Sequence, residues 1–321
     1  MSAVISLLRK VPGLLPLWQQ CMKSPWFRQR VDDALLFKMY GTTRPESLLV
    51  PGTPHVMYVN PRENRGRAIL KCRAAGQPLI KTVWRNANRL LQPNAAIDVG
   101  LNYGEIALCA EYAPTTRIVG IEANPELEPF LRRSLAAHPN ARQFELFIAL
   151  ASDRAQADAS FFIDRAWSGR SSVLLDGKQP GIEECRVPSV CLDELFADGD
   201  LRDDALLFKI DVEGFEPIVL RGMKRLLSEC PRWVGIIEFN SDLLERLNVK
   251  AEEFLEQLLA QAKIVSLDKH GRSTPITSPH LEQFGDSQAA GGVCSDLLLI
   301  SHGCSLTAAQ LTAPEPRSPT A

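Results

Sequence analysis

A doubly wound α/β domain with a mostly parallel sheet is the fold this sequence predicts, and three observations predict it. Short apolar runs recur between about residues 93 and 303, amphipathic stretches separate them, and the first run ends in a glycine turn. Ala95-Ala96-Ile97-Asp98-Val99 reads as a buried strand. A helix is expected from about Tyr103 to Tyr112, then a strand from Arg117 to Ile121. Asn124-Pro125 opens the next helix, because asparagine caps well and proline suits the first helical position. Leu127, Phe130, Leu131 and Leu135 fall at helical spacing along it. Further strands are expected at Phe144 to Ala149, Leu206 to Val212 and Val234 to Phe239, with helices near 216–228 and 251–262. Ile264 to Leu267 and Asp296 to Ser301 complete the set with a long loop and no helix between them, so the last strand should run antiparallel. The expectation is a Rossmann-like sheet of seven strands with a reversed edge. Such sheets bind ligands beyond the C-terminal strand ends, where the strand order reverses.

Composition narrows the function. The chain has 321 residues, 45% hydrophobic and 23% charged, which is ordinary for a globular protein. A net charge of −2 gives no electrostatic reason to expect nucleic acid or an anionic membrane as partner. The eight cysteines are scattered without a Cys-x-x-Cys pair, and the five histidines share no close ligand spacing. Free thiols in a reducing cytoplasm and no metal centre are therefore expected. No apolar run approaches the roughly 20 residues of a membrane span. The basic pair Arg9-Lys10 follows the first apolar stretch, unlike a signal peptide. Three regions are read: an N-terminal helical arm over 1–55, one domain over 56–304, and a disordered, proline-bearing tail over 305–321.

Three segments carry chemistry. In Asp98-Val99-Gly100-Leu101-Asn102-Tyr103-Gly104, glycines turn the chain from strand to helix and let the backbone approach a ligand. The Gly-x-x-x-Gly spacing differs from the Gly-x-Gly-x-x-Gly of dinucleotide sites. It suits a methionine moiety, whose ammonium Asp98 can meet. In Gly120-Ile121-Glu122-Ala123-Asn124-Pro125, Glu122 ends the second strand, where its two oxygens match a ribose diol. In Leu207 to Glu216, the strand period puts Lys209, Asp211 and Glu213 on one face, opposite Phe208, Ile210 and Val212. Three charges on a central strand are costly unless they pair or meet a ligand where the strand enters a cleft. Glu238 ends the fifth strand at the same expected cleft. Asp211, Glu213 and Glu238 could gather a divalent ion, although nothing in their spacing demands one. Ser168 to Ser172 is read as a polar loop able to cover the cleft, Asp193 as a helix cap, and His270 as a loop residue.

Taken in order, these segments resemble the FkbM-type methyltransferases, whose hallmarks are similar to Asp98–Gly104 and Leu207–Glu216, with Leu101 and Phe215 standing where alanines are usual. Ala149-Leu150-Ala151-Ser152-Asp153, Cys191-Leu192-Asp193, Val219-Leu220-Arg221-Gly222 and Ile237-Glu238 follow in the family's order. The resemblance spans roughly residues 56–300. It implies a class I methyltransferase fold, S-adenosylmethionine as methyl donor, and oxygen methylation of a sugar, glycan or natural-product acceptor. It carries Asp98, Gly100, Asn102 and Gly104, with Tyr103 among them, to the methionine end of the cofactor. Glu122, with Ala123 and Asn124 beside it, goes to the ribose, Ala149 to the adenine, and Asp211 to the methyl-transfer path. Asp211 or Glu213 is then the expected base, with Lys209 tuning the carboxylate and Glu238 near the acceptor. The rival readings are a nicotinamide-dependent oxidoreductase, which the glycine spacing opposes, and a non-catalytic binding module, which the intact set of acidic residues opposes.

Overall fold

The computed structural model describes residues 14–21, 23–198, 203–268, 271–289 and 292–314. His270, residues 1–13 of the arm and residues 315–321 of the tail lie outside them. A hairpin of β1 (Ser47–Leu49) and β2 (Val56–Tyr58) precedes the main sheet. That hairpin straddles the boundary drawn at residue 55. Leu36, Leu48 and Val50 are buried in the same core as the sheet, so the second half of the expected arm belongs to the domain. The helix Pro25–Tyr40 lies outside the sheet and buries Leu36, while Trp26 and Phe37 stay exposed.

The central sheet contains β3 (Ala95–Val99), β4 (Arg117–Glu122) and β5 (Phe144–Ile148). A separate small sheet holds β6 (Leu150–Ser152), β7 (Gln156–Asp164) and β8 (Ile182–Cys191), in the order β6-β8-β7. The central sheet then gains β9 (Ala205–Ile210), β10 (Arg232–Asn240), β11 (Ala262–Leu267), β12 (Ser273–Ile276), β13 (Gln288–Ala289) and β14 (Gly292–Ser301). Its order is β12-β11-β14-β10-β9-β3-β4-β5, with β13 pairing to β14. The five strands from β5 to β10 are mutually parallel. β14 is antiparallel to both neighbours, β10 and β11. The reversed last strand is therefore present, but it is inserted inside the sheet instead of forming its edge. The strand order reverses between the parallel neighbours β3 and β9, where connections leave to opposite sides, and that is where a crevice opens.

Alternation along the strands builds two cores. Ile97 and Val99 of β3 join Phe208 and Ile210 of β9 on one face. Ala96 and Leu207 face the other side, against Trp84 of the helix Pro78–Leu91. All six residues of β9 are buried, as expected of a parallel strand covered on both faces. The expected helix from Tyr103 to Tyr112 is absent. Asn102 and Gly104 take left-handed backbone angles (φ 49° and 81°), and only a 3-10 turn, Ala107–Cys109, follows. The tail is also more ordered than expected. Ala308–Thr312 forms a short helix whose Leu311 is fully buried, and Asn86 Nδ2 donates to the Leu311 and Ala313 carbonyls, both at 2.9 Å.

Candidate active site

One face of the sheet collects charge at its C-terminal end. Asp98 of β3 stands in register with Lys209 of β9, and Glu238 of β10 with Asp296 of β14. Asp211 follows β9 immediately, and its N–H donates to the Val99 carbonyl at 3.1 Å. Lys209 is buried at 4% exposure, too deep to be left unpaired. Its Nζ donates to Asp211 Oδ2 at 2.9 Å and stands 4.0 Å from Asp98 Oδ1. Burial works against its charge, but Asp211 and Asp98 outweigh that and hold the ammonium above its ordinary pKa. Asp98 is pushed up to about 7 by burial, despite Lys209. Its Oδ2 accepts the Ala107 N–H at 3.2 Å, while the buried Oδ1 accepts no hydrogen bond from the protein.

Beyond Lys209 the carboxylates crowd together. One oxygen from each of Asp211, Glu213 and Glu238 lies within 4.8 Å of the others. Burial, with Asp211 and Glu216 adding repulsion, pushes Glu213 up to about 8. Burial, with Asp211 and Glu213, holds Glu238 well above the carboxylate range, and its Oε2 is buried without a partner. Asp296 is pushed up to about 7 by burial and Asp211. Glu216 is likewise raised to about 7 by burial while it accepts the Val212 and Gly214 N–H groups at 3.0 and 3.2 Å. Like charges in a dry pocket favour shared protons.

Glu122 anchors the other side of the crevice. Its Oε2 accepts the Asn102 N–H at 2.7 Å and its Oε1 accepts the Asn124 N–H at 2.8 Å. The buried carboxylate thus pins the turn after β3 to the end of β4, and burial raises its pKa. Each oxygen keeps a further lone pair for a ligand.

Two adjoining cavities share Gly100, Asn102, Gly169, Asp211 and Glu213. The first runs between Glu122, Ala123 and Ala149 and the apolar Phe161, Val173 and Phe215. The second, of about 290 Å³, meets Asp98, Tyr103, Lys209 and Glu238, with Arg65 and Trp167 on its far wall. Nearly every residue expected from sequence thus borders one crevice. Two do not. Gly104 lies in neither cavity, because its φ of 81° closes the turn against Leu108 and Leu131. Asn124 gives its side chain to the Glu126 N–H at 3.0 Å and caps the following helix. Tyr103 is fully buried and directs its hydroxyl to Glu63 Oε2, 3.2 Å away. The Ser168–Arg170 turn does cover the crevice, and the Ser172 hydroxyl donates to the Glu213 carbonyl at 2.9 Å. Asp193 is a cap: its carboxylate accepts the N–H groups of Arg225 and Leu226, both at 2.9 Å.

Sequence reading missed four contributors, Asp296, Arg65, Glu105 and Trp167. Asp296 announces itself only as an acid at the head of the apolar run Leu297 to Ile300. Arg65, which pairs with Glu105 and lies 5.7 Å over the Trp167 ring, follows a turn-rich stretch with no periodic signal. Glu105 also accepts from the buried Lys81 at 3.3 Å.

The residues present suit the chemistry of S-adenosylmethionine on two grounds. An acid facing apolar walls suits a nucleoside, and the orphan buried oxygen of Asp98 suits an ammonium. The methyltransferase FkbM domain model matches residues 98–265. The chain belongs to the FkbM methyltransferase family. A solved methyltransferase FkbM from Methylobacillus flagellatus KT is similar at 12% identity, covering 72% of this chain and 60% of that one, with a TM-score of 0.35. An O-methyltransferase from Bacillus cereus in complex with SAH is similar at 9% identity, over 70% and 82% of the chains, with a TM-score of 0.38. The O-methyltransferase TomG from Streptomyces achromogenes, solved with SAM, is similar at 14% identity, over 70% and 80%, with a TM-score of 0.37. No curated protein matches. An FkbM-family chain is a methyltransferase, and S-adenosylmethionine is its cofactor.

Proposed function

We propose that this FkbM-family protein methylates a hydroxyl oxygen of a sugar, glycan or natural-product acceptor. The observation that carries the reading is the carboxylate trio Asp211, Glu213 and Glu238, set beside the cavity that Glu122 and Ala149 border. The cofactor, when bound, supplies a methyl group already activated on a sulfonium, so the protein's task is alignment and proton removal.

In this reading Glu122 receives the ribose hydroxyls, Ala123 and Ala149 border the base, and Asp98 with the Gly100–Asn102 turn receives the amino-acid end. Lys209 fixes Asp211 through the 2.9 Å hydrogen bond, leaving the other Asp211 oxygen to orient the acceptor hydroxyl. Glu213, raised to about 8, is a strong enough base to take the hydroxyl proton in its ionised form, so turnover should rise with pH toward about 8. Glu238 completes the polar wall against which a polyhydroxylated acceptor is held.

Two measurements test this. Calorimetric titration with S-adenosylmethionine and S-adenosylhomocysteine should give micromolar binding that weakens sharply in Glu122→Ala. Glu213→Gln should depress turnover far more than cofactor affinity. Unchanged turnover removes Glu213 from the base role.

A second reading rests on the same three carboxylates, whose mutual spacing within 4.8 Å suits a divalent cation that would bind the acceptor hydroxyl directly. Activity abolished by exhaustive chelation and restored by Mg²⁺ selects that reading. Activity indifferent to chelator selects the proton-transfer one.

A further inference from the structure

A third cleft, of about 640 Å³, lies between the helix Pro25–Tyr40, the helix Asn64–Cys72 and the Thr43–Arg44 turn. Five cationic side chains and two carboxylates line it. The chain as a whole carries −2, so the positive surplus is local. Two of the cations are engaged: Arg67 with Asp33 and Lys71 with Asp32, both at 2.8 Å. Arg28, Arg44 and Arg62 have exposed guanidinium groups that meet no carboxylate among the described residues. Three arginines without carboxylate partners around one concavity give it a local positive potential that favours an anionic occupant.

The cleft also adjoins the reaction crevice. Trp167 lines both the cleft and the second cavity, in which Asp211, Glu213 and Glu238 stand. Asn64, on the cleft side, donates to the Ala166 carbonyl at 2.9 Å, and its neighbour Arg65 faces the cavity side. One wall therefore separates the place where a methyl group is transferred from the place where negative charge is stabilised.

We propose that the cleft binds the phosphate end of the methyl acceptor, so that the substrate is a diphosphate-bearing molecule whose hydroxylated end reaches past Trp167 to the carboxylate trio. The inference rests on the acceptor-methylation reading above. Arginine forks match phosphate oxygens in pairs, and each phosphate offers three acceptor oxygens and up to about two negative charges. The division of charge is complementary: the acidic cavity rejects the phosphate end and the basic cleft takes it, which sets the direction of the acceptor. The diphosphate could come from a nucleotide or from an isoprenoid carrier.

Calorimetry on the full chain tests the proposal with three probes: inorganic pyrophosphate, uridine diphosphate and geranyl diphosphate. Each is titrated with and without S-adenosylhomocysteine, into the parent and into the triple variant Arg28→Gln, Arg44→Gln, Arg62→Gln. Pyrophosphate should bind the parent, lose affinity as salt is raised, and bind the variant at least about tenfold more weakly. S-adenosylhomocysteine should bind both proteins alike, which also reports that the variant is folded. Tighter binding of uridine diphosphate points to a nucleotide-linked acceptor, and tighter binding of geranyl diphosphate to an isoprenoid-linked one. Equal binding of all three leaves the diphosphate itself as the recognised group. The proposal is overturned if pyrophosphate does not bind the parent, or binds parent and variant equally. Loss of S-adenosylhomocysteine binding in the parent would instead strike the methyltransferase reading, and the pyrophosphate titration would still report on the cleft.

Discussion

A side-chain carbon on Gly100 would stand 1.9 Å from the carbonyl oxygen of Asp211. The turn after β3 and the chain leaving β9 touch there through bare backbone, and the two cavities meet over that contact. Gly100 is thus required by strand-to-strand approach as well as by its φ of 77°.

Gly100→Ala should therefore cost at least about 2 kcal/mol, since strain at positive φ adds to a clash with backbone that cannot swing away. Thermal unfolding should show a drop of several degrees, with S-adenosylhomocysteine binding impaired even where the variant is folded. A variant as stable as the parent would mean that the β3 turn can move away from Asp211.

Glu122→Gln makes a finer test, because it keeps shape and removes one acceptor. Both Glu122 oxygens accept backbone N–H groups, from Asn102 and Asn124. An amide nitrogen must then face one of those donors. The expected loss in S-adenosylhomocysteine affinity is about 10- to 100-fold, with modest loss of stability. Affinity within about twofold of the parent would exclude Glu122 from the ribose role.

How much of this was legible in the sequence follows from what each residue has to do. β3, β4, β9 and β10 were legible because parallel strands buried on both faces are continuous apolar runs, and because the acids at their ends have no business in a core. Asp98, Glu122, Lys209, Asp211 and Glu238 could be placed at one crevice on that ground alone. The small sheet was not legible, since β7 and β8 are polar on their outer faces and give little periodic contrast. The Tyr103–Tyr112 segment has helical apolar spacing, but the left-handed Asn102 and Gly104 spend its start on a turn. Leu36, Leu48, Val50 and Leu311 lie in segments too short or too irregular to show which of their apolar residues face the core, and only the tertiary fold shows what they pack against.

Leu311 gives the C-terminal segment its own prediction. Its fully buried side chain packs in the core around Trp84, and Asn86 ties down the surrounding carbonyls. Leu311→Ala should cost about 2–5 kcal/mol in urea unfolding, the usual range for a buried leucine. A change below about 0.5 kcal/mol would show that the segment undocks freely in solution.

Stability should fall as pH rises from about 6.5 to about 8.5. Asp98, Glu216 and Asp296 rise to about 7 and Glu213 to about 8, each above its unfolded value. The folded state then binds more protons than the unfolded one, and the stabilisation from these groups is lost as pH passes through their folded values. His138, lowered to about 4 mainly by burial, titrates below this window and acts in the opposite sense there. Glu238→Gln removes one of the crowded carboxylates, so it should melt higher than the parent at pH 8.5 and show a shallower slope. A lower melting temperature at both ends of the window would mean that Glu238 is held by partners its charge needs.

Lys209→Met sharpens the same argument. The buried ammonium donates to the half-buried Asp211 at 2.9 Å and stands 4.0 Å from the buried Asp98. Removing it leaves the buried Asp98 carboxyl without its cation and takes the hydrogen-bond donor from the half-buried Asp211. At pH 8 the loss should reach about 3–5 kcal/mol, the usual cost of breaking a buried pair. At pH 6 protons can replace the ammonium, because Asp98 already holds one up to about pH 7, and the loss should be clearly smaller. Unfolding curves of parent and variant at the two pH values decide the matter. A penalty independent of pH would show that Lys209 contributes its aliphatic packing alone, and that its charge does not set the protonation of the acids around it.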